Sequence, residues 1–384
     1  MNRTIAALGT TIFEVMSGLA RETGAINLGQ GFPDAQGPAE LLDAAARALV
    51  ERSNQYPPMR GLAELRAAIA GYYAVHQGLT LADDEIVVTS GGTEALAACI
   101  LAFLNPGDEA ILVQPLYDAY QPLVERGGGV ARHVSLTPPD WRVPIAAIRA
   151  AITPKSRLII LNSPHNPTGS VVGRPDLEAL AEICVAHDLI LLCDEVWEGM
   201  IFGGPAHVSP LAIPGLRERS VKVGSAGKIF SLTGWKVGWA CAAPPLAGMI
   251  ARAHQFLTFT TPPALQWAVA EGLALPPAWH RAHKATHAPG RARLAEGLAE
   301  AGYAVLPSAA TWFIHVDLTA SGIALDDRSF CERAVREAGV AAIPFSAFYA
   351  QAPETRFVRF CFTKPLDRLD EAVERLDRFR ASLI

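Results

Sequence analysis

A lysine surrounded by small residues is the strongest chemical signal in the sequence. Lys228 lies in the segment GSAGKIFSLTGWKVGW, residues 224–239, directly after a predicted strand. The segment is not a P-loop, because that motif needs glycine at position 222 and serine or threonine at 229, where the chain has lysine and isoleucine. A lysine in this setting can form a Schiff base with a bound aldehyde, while Ser225 and Lys236 are free to meet a phosphate. Taken alone, a solvated surface lysine is the more common interpretation of such a residue.

An acidic pair, Asp194 and Glu195, follows the apolar run 189–193. Ligand sites in parallel sheets gather at the carboxyl ends of strands, so this position is suited to a cofactor. A carboxylate that faces a pyridine nitrogen keeps the nitrogen protonated and strengthens the ring as an electron sink. A lone aspartate at a strand end is more often a turn or helix-capping residue.

Two turns complete the set of candidate residues. In the segment NSPHNPTG, residues 162–169, Asn166 could donate its side-chain amide to a ring oxygen, although asparagine is also a common turn former. We interpret His165 in the same turn as structural. The segment SGGT, residues 90–93, joins a predicted strand to a predicted helix. Free backbone amides at such a junction can hold a phosphate, although many turns of this kind contain glycine.

These residues require elements that bring them to one edge of a sheet. Continuous apolar runs bounded by turn residues predict strands buried on both faces. The predicted strands are 86–89, 110–113, 158–161, 189–193, 221–223 and 237–241. Helix-like segments lie between several of them, at 94–104 and, after an Arg-Pro start, at 176–186. The alternation predicts a mostly parallel sheet covered by helices.

The chain of 384 residues is long enough for two or three domains. We predict an N-terminal arm, residues 1–37, that contributes to a small domain, then a large domain at 38–276 and a small C-terminal domain at 277–384. The division near 276 rests on a change to a helical stretch rich in alanine, arginine, leucine and glutamate. Short alternating segments follow at 312–316 and 356–362, which is typical of an α+β domain.

The composition narrows the class of protein. Half of the residues are hydrophobic and 18% are charged, which predicts a compact soluble enzyme. The net charge of -5 gives no basic field for nucleic acid, and no apolar run is long enough to span a bilayer. Six cysteines occur singly, which suits a reducing compartment. We therefore expect a cytoplasmic protein that has neither nucleic acid nor membrane as a partner.

In this order and spacing, the motifs closely resemble the fold-type I, pyridoxal-5'-phosphate (PLP)-dependent class I/II aminotransferases, especially the kynurenine and methionine aminotransferase branch. The resemblance runs over nearly the whole chain, from NLGQGFPD at 27–34 to RFCF at 359–362. It implies an α/β fold with a three-layer PLP-transferase (aspartate aminotransferase-like) large domain, a mostly parallel sheet, and a smaller α+β domain. It also implies pyridoxal 5'-phosphate as the cofactor and a homodimer with shared active sites.

The resemblance assigns cofactor roles to residues of this sequence. Lys228 matches the Schiff-base lysine, which also moves a proton as general base. Asp194 matches the partner of the pyridine nitrogen, and Asn166 matches the donor to the ring's phenolic oxygen, beside the substrate. Tyr117 matches an aromatic residue that stacks on the ring, and Tyr56 matches a tyrosine that reaches the phosphate in the neighbouring subunit. The implied phosphate contacts within the chain are Gly92, Thr93, Ser225 and Lys236.

Substrate contacts follow from the same resemblance. Arg359 matches the arginine whose planar fork binds the substrate α-carboxylate, and Gly31 matches a backbone contact to it. Three positions depart from the family. Trp197 stands where a tyrosine usually helps to hold the cofactor's ring oxygen, and an indole can donate a hydrogen bond but cannot accept one or ionise. Phe13 stands where kynurenine enzymes have tryptophan, and Phe-Thr at 259–260 where some have Phe-His.

The predicted function is transfer of the amino group of an L-amino acid to a 2-oxo acid through the Lys228 Schiff base and a pyridoxamine intermediate. Methionine, aromatic or kynurenine-like donors are favoured, because no second arginine for a side-chain carboxylate is evident. A β-lyase acting on cysteine S-conjugates uses the same residues and stays an alternative, as does a non-catalytic PLP-binding protein. His280, His283 and His287 are interpreted as a solvated helix face rather than a metal site, so no metal is expected.

Overall fold

The structure is a computed structural model that describes residues 3–351, 353 and 355–384. Its helices are α1 (Arg3–Ala7), α2 (Ile12–Thr23), α3 (Ala39–Glu51), α4 (Ala63–Gln77), α5 (Gly92–Phe103), α6 (Tyr120–Arg126), α7 (Ile145–Ala151), α8 (Arg174–Ala186), α9 (Ala226–Ile229), α10 (Pro244–Leu257), α11 (Pro263–Leu273), α12 (Pro277–Ala285), α13 (Ala288–Glu300), α14 (Asp327–Arg333) and α15 (Leu366–Leu383). Its strands are β1 (Ile26–Asn27), β2 (Ile86–Thr89), β3 (Glu109–Gln114), β4 (Val130–Ser135), β5 (Ser156–Asn162), β6 (Ile190–Asp194), β7 (Ser220–Ser225), β8 (Gly238–Ala242), β9 (Ala304–Val305), β10 (Phe313–Asp317), β11 (Val340–Ala341), β12 (Ile343–Pro344) and β13 (Phe357–Cys361).

Seven strands form the central sheet in the order β2-β8-β7-β6-β5-β3-β4. All run parallel except β8, which is antiparallel to both of its neighbours. The predicted mostly parallel α/β sheet is therefore confirmed, and each of the six predicted strands lies within two residues of an observed one. The sequence reading missed β4, an edge strand whose mostly exposed or half-buried residues lack a continuous apolar run.

Helices cover both faces of this sheet because alternate strand residues point to opposite sides. Ile160 of β5 packs in a cluster with residues of α5 and α10, whereas its neighbour Ile159 packs in a cluster with residues of α7 and α8. The start of α8 at Arg174-Pro175 agrees with the preference of proline for a first helical turn. The result is a three-layer arrangement in which the carboxyl ends of the parallel strands share one edge.

A second sheet has the order β12-β13-β10-β9 and is antiparallel, and β1 pairs in parallel with β11. Residues from the N-terminal part of the chain, such as Met16 and Leu28, share one hydrophobic cluster with Phe360 and Leu376. The predicted division into an arm, a large domain and a small domain, with boundaries at 37 and 276, stays a prediction. Among the described residues, every helix is too short or too polar to cross a membrane.

Candidate active site

A cavity of about 360 Å³ opens at the carboxyl ends of the parallel strands. It lies between the central sheet and residues of the N-terminal arm, β10 and β13. All but one of the thirteen residues predicted for the site line this cavity. They are Phe13, Gly31, Gly92, Thr93, Tyr117, Asn166, Asp194, Trp197, Ser225, Lys228, Lys236 and Arg359. The fold therefore collects side chains from positions that are up to 346 residues apart in sequence.

Lys228 lies on α9, the short helix that begins directly after β7. Its Nζ is 4.8 Å from the ring centroid of Trp197 and 5.2 Å from that of Trp312. Burial lowers the pKa of the Lys228 amine to about 8, although the nearby Asp194 carboxylate opposes this shift. Compared with a surface lysine, the amine is therefore neutral, and nucleophilic, in a larger fraction of molecules at neutral pH.

Asp194 is the last residue of β6 and is buried. Its Oδ2 accepts a hydrogen bond of 2.7 Å from the Tyr120 hydroxyl, and its Oδ1 accepts one of 3.3 Å from the backbone N–H of Val196. Burial raises the pKa of the carboxyl group, while these hydrogen bonds oppose that shift. The carboxylate is thus held in one orientation at the wall of the cavity.

Two residues that support Asp194 were missed as site residues. Tyr120 comes three residues after Tyr117 and begins α6, but nothing in the sequence shows that its hydroxyl reaches the end of β6. Asn162 donates from Nδ2 to the Asp194 carbonyl at 2.7 Å and accepts the Asn166 N–H at its Oδ1, also at 2.7 Å. Because Asn162 ends β5 as Asp194 ends β6, the same strand-end rule could have found it.

Arg359 is a buried cation on β13. Its Nη1 donates to Asn166 Oδ1 at 2.8 Å and its Nη2 donates to the Gly29 carbonyl at 2.9 Å. The guanidinium carbon lies 3.8 Å from the ring centroid of Phe313. Within the described part of the chain, Nε has no hydrogen-bond partner and no carboxylate forms a salt bridge with this group. Since an unpaired buried charge is costly, the arrangement fits an anionic group of a ligand.

An anion cradle lies at the start of α5. Gly91 has a φ of +81° before the first helical residue, Gly92, and a Cβ on Gly91 would lie 3.4 Å from the Lys236 Nζ. Glycine therefore permits the close approach of the lysine to the helix N-terminus, where free amides and the helix dipole favour an anion. Ser225 ends β7 at the same cavity.

The remaining wall residues are fixed by contacts with other lining residues. Tyr117 places its hydroxyl 3.5 Å from Thr93 Oγ1. Asn166 has its side-chain oxygen occupied by Arg359, which leaves the amide nitrogen for the cavity. A Cβ on Gly31 would lie only 2.8 Å from the ring of Phe313, so a side chain at this position does not fit. An amine, a carboxylate, an aromatic ring and an anion cradle around one space fit a phosphorylated aromatic aldehyde such as pyridoxal 5'-phosphate.

Tyr56 is the predicted site residue that does not line the cavity. Its side chain is 82% exposed and forms an edge-to-face contact with Phe259, with ring centroids 5.6 Å apart. Phe256, three residues before Phe259 in the chain, is 84% exposed. The predicted contact of Tyr56 with a phosphate in a neighbouring subunit stays a prediction.

The histidine predictions had different outcomes. His165 is buried, with one ring nitrogen 2.7 Å from Thr168 Oγ1 and the other 2.9 Å from the Pro115 carbonyl, which confirms a structural role. The prediction of a solvated face for His280, His283 and His287 is wrong. All three are half-buried, and the last two place Nε2 atoms 3.3 and 3.0 Å from the Ser231 hydroxyl. The helical spacing did not reveal that another segment covers this face.

Comparisons with known proteins agree with the geometry of the cavity. Residues 23–376 match the family model described as aminotransferase class I and II. The chain is 42% identical to a probable N-succinyldiaminopimelate aminotransferase of Mycobacterium tuberculosis, with 96% of this chain and 95% of the relative covered. It is 41% identical to the methionine aminotransferase of Escherichia coli, with 96% of each covered, and 33% identical to a kynurenine–oxoglutarate transaminase of Dictyostelium discoideum, with 98% and 95% covered.

Solved structures give the same result. The crystal structure of the E. coli methionine aminotransferase superposes with a TM-score of 0.94 at 40% identity, covering 98% of this chain and 99% of that one. The M. tuberculosis N-succinyldiaminopimelate aminotransferase also has a TM-score of 0.94, at 41% identity and the same coverage.

Proposed function

The chain belongs to the class I and II aminotransferases and is a PLP-dependent enzyme, and we propose that it transfers the amino group of an L-amino acid with an uncharged side chain to a 2-oxo acid. Methionine, aromatic amino acids and kynurenine are the favoured donors. The observation that carries the proposal is that one cavity contains both the amine of Lys228, whose pKa is lowered, and the guanidinium of Arg359, which has no salt bridge to a described carboxylate.

Each residue around the cofactor has a separate role in the proposed reaction. When bound, pyridoxal 5'-phosphate supplies a ring that takes up the electron pair released at the substrate α-carbon. Lys228 anchors the cofactor and then carries the proton at the α-carbon, a role that its lowered pKa suits. Asp194 holds the ring nitrogen in its charged form. Gly92, Thr93, Ser225 and Lys236 bind the phosphate at the start of α5.

Arg359 orients the donor. Its two-pronged fork binds the α-carboxylate, while the ring of Phe313 supports the guanidinium from one face. Asn166 and the Gly29 carbonyl each accept a hydrogen bond from one prong, so the orientation of the fork is fixed. Gly31 contributes its backbone to the same carboxylate.

The preference for uncharged donors rests on the cavity wall. Phe13, Phe32 and Phe313 line the cavity. The cationic residues of the lining are Lys228, Lys236 and Arg359, and the proposed roles use all three. A donor with a distal carboxylate, such as aspartate or N-succinyldiaminopimelate, would therefore meet an aromatic wall without a second cation. The relatives named for methionine and kynurenine agree with this preference, whereas the relative named for N-succinyldiaminopimelate does not, so that donor is included in the test.

The test is a half-reaction without an acceptor. Methionine, phenylalanine, kynurenine, aspartate and N-succinyldiaminopimelate are added singly to the holoenzyme, and the visible band of the cofactor is followed. We expect the first three to convert the cofactor to its pyridoxamine form, with 2-oxo acid released in equal amount. Faster conversion by either acidic donor would overturn the preference. Release of pyruvate and ammonia from a cysteine conjugate, with the band unchanged, would instead indicate the lyase that the comparisons do not favour.

We also propose that the enzyme is a cytoplasmic homodimer. The exposed and mutually contacting Tyr56 and Phe259, together with the exposed Phe256, support a subunit interface, because large apolar side chains clustered on a surface are usually covered by a partner. Six buried thiols support a reducing compartment. Light scattering should give twice the chain mass, and a Phe256→Asp variant should shift the mass towards one chain. A wild-type mass of one chain would contradict the dimer.

A further inference from the structure

A buried ion cluster lies behind the turn that carries Asp194 and Trp197, and the transamination roles given above do not use it. Lys222 on β7 places its Nζ 2.6 Å from Glu195 Oε2 and also donates to Glu198 Oε2. All three side chains are buried, and that of Lys222 is fully inaccessible. We call these three residues the Lys222 cluster.

Both carboxylates of the cluster are saturated by further hydrogen bonds. The Tyr73 hydroxyl donates to Glu198 Oε1 at 2.7 Å, and Ser209 Oγ donates to Glu195 Oε1 at 3.0 Å. His207 Nε2 lies 2.6 Å from Glu195 Oε2. Glu195, Glu198 and His207 could also ligate a metal ion, but the ammonium of Lys222 already binds both carboxylates.

Lys222 keeps its charge despite its burial. Burial alone would lower the pKa of Lys222, but the two carboxylates outweigh this effect and raise it above the usual value. A buried ion pair of this kind contributes little net stability compared with apolar side chains of the same volume, because desolvation offsets the attraction. The cluster instead fixes geometry, because its hydrogen bonds determine the conformation of the backbone turn that carries Glu195 and Glu198.

In the turn after β6, side chains that face the cavity alternate with side chains that bind Lys222. Asp194, Val196 and Trp197 line the cavity, whereas Glu195 and Glu198 are directed to Lys222. The two residues held by Lys222 therefore flank Val196 and Trp197, and Glu195 directly follows Asp194. The Glu195 N–H donates to the Val223 carbonyl at 3.0 Å, which ties the same turn to the strand that carries Lys222.

We propose that Lys222 is a positioning residue that, by binding Glu195 and Glu198, holds the turn so that Asp194 and Trp197 face the cofactor. This inference rests on the proposed function for the identity of the bound group. It assigns no chemical step to Lys222. Its effect passes through the orientation of the Asp194 carboxylate and the Trp197 indole.

The first test is a Lys222→Met variant, with pyridoxal 5'-phosphate binding to the apoenzyme measured by quenching of tryptophan fluorescence. We expect the dissociation constant to rise by about tenfold or more, which is the size of effect seen when supporting partners of a ligand-binding residue are removed. The pH midpoint of the visible cofactor band should also shift. A dissociation constant within about twofold of the wild type in a folded Lys222→Met protein would overturn the proposal.

A second variant separates positioning from stability. Lys222→Met combined with Glu195→Gln and Glu198→Gln leaves no buried charge unpaired, so the melting temperature should return towards the wild-type value. We expect cofactor affinity and the band midpoint to stay altered, because the ties across the turn are still missing. Recovery of both together with the melting temperature would show a merely structural role and refute positioning.

Arg217→Met provides the matched control. Arg217 binds the buried Glu85 at 2.6 Å, and neither residue lines the cavity. This variant should lower the melting temperature while leaving the cofactor dissociation constant unchanged. An equal loss of affinity in Arg217→Met would show that any lost ion pair has this effect, and would overturn the proposal. Because the measured quantity is cofactor binding, failure of the wild type to transaminate would challenge the donor assignment and not Lys222.

Discussion

Lys222 and Lys228 stand six positions apart on one strand and the helix that follows it, yet they lie in opposite electrostatic environments. Two carboxylates bind Lys222 and raise its pKa above the usual value. Lys228 faces two indole rings, has no hydrogen-bond partner among the described side chains, and has its pKa lowered to about 8 by burial. The difference shows that burial does not decide what a lysine does. The groups it meets decide whether it stays a fixed cation or becomes a nucleophile.

The same comparison extends to the charges around the two sites. In the Lys222 cluster each charge has a partner of opposite sign, so nothing is left for a ligand. In the cavity, Lys228 and Arg359 remain without a salt bridge to any described carboxylate. A cationic group without a salt bridge in a cavity can bind an anionic, carbonyl-bearing ligand. In a structural cluster every charge has a partner of opposite sign.

Replacing each of the two lysines separately gives the largest expected difference between the two sites. Lys228→Ala should lower the rate of amino transfer by about 10⁴-fold, the upper end for loss of one acid–base group, while leaving the melting temperature near or above the wild-type value. Lys222→Met should instead lower the free energy of unfolding by about 3–5 kcal/mol, because two buried carboxylates lose their counter-ion. Stopped-flow spectra and thermal melts of both variants check the contrast. Comparable melting losses in the two variants would remove it.

Arg359→Lys tests the unpaired cation that most differs from the satisfied cluster. The change keeps the charge but removes the planar fork, so kcat/KM for methionine should fall by about 10–100-fold, mainly through KM. Cofactor affinity should stay unchanged, since the proposed role of Arg359 concerns the substrate. A fall in cofactor affinity with an unaltered KM would place this residue in the cofactor site instead.

The fold could be predicted where hydrophobic runs are continuous. Six strands of the central sheet were found because burial on both faces leaves no polar residue inside each run. The reversed direction of β8 was not predictable from its apolar run. The run of β7 is similar, yet β7 is parallel to β6 and antiparallel to β8. The edge strand β4 was missed because its one fully buried residue, Val134, gives no pattern.

The site could be predicted only as far as sequence motifs reach. Lys228 and Asp194 were singled out by their local motifs and Arg359 only through the family resemblance; the structure brings all three to one cavity, whereas their roles stay proposals. Tyr120 and Lys222 were not found, because each acts through a contact made 74 or 24–27 residues away in sequence. Contacts of this kind depend on how strands are ordered in the sheet, which no local pattern encodes.

The lowered pKa of Lys228 predicts how cofactor uptake depends on pH. Below about pH 8 the amine is protonated and cannot attack the cofactor's carbonyl, whereas above it the neutral amine predominates. The rate of reconstitution from apoenzyme should therefore rise by about tenfold between pH 7 and a plateau above pH 8. Stopped-flow absorbance across pH 6.5–10 measures this rate. Below the midpoint the rate should rise by about tenfold per pH unit. A rate that continues to rise up to about pH 10 would mean that Lys228 titrates like a surface lysine.

Trp197 gives the smallest effect and the finest test of what the indole rings do at Lys228. The side chain is buried, packs edge to face on Trp312 with centroids 4.9 Å apart, and presents its ring 4.8 Å from the Lys228 Nζ. A ring face stabilises a nearby positive charge by about 0.5–2 kcal/mol, while a tyrosine phenol in its place would stabilise the deprotonated cofactor. Both effects favour retention of the proton in the wild type.

We therefore expect the visible band of the bound cofactor to titrate at higher pH in the wild type than in Trp197→Tyr, by about one pH unit. Trp197→Phe is the matched control, since it keeps an aromatic face without the N–H group or a phenol, and its midpoint should stay close to that of the wild type. A spectral titration in which the wild type has the lower midpoint would refute this account. If the phenylalanine variant instead titrates with the tyrosine variant, the indole N–H, and not the ring face, retains the proton.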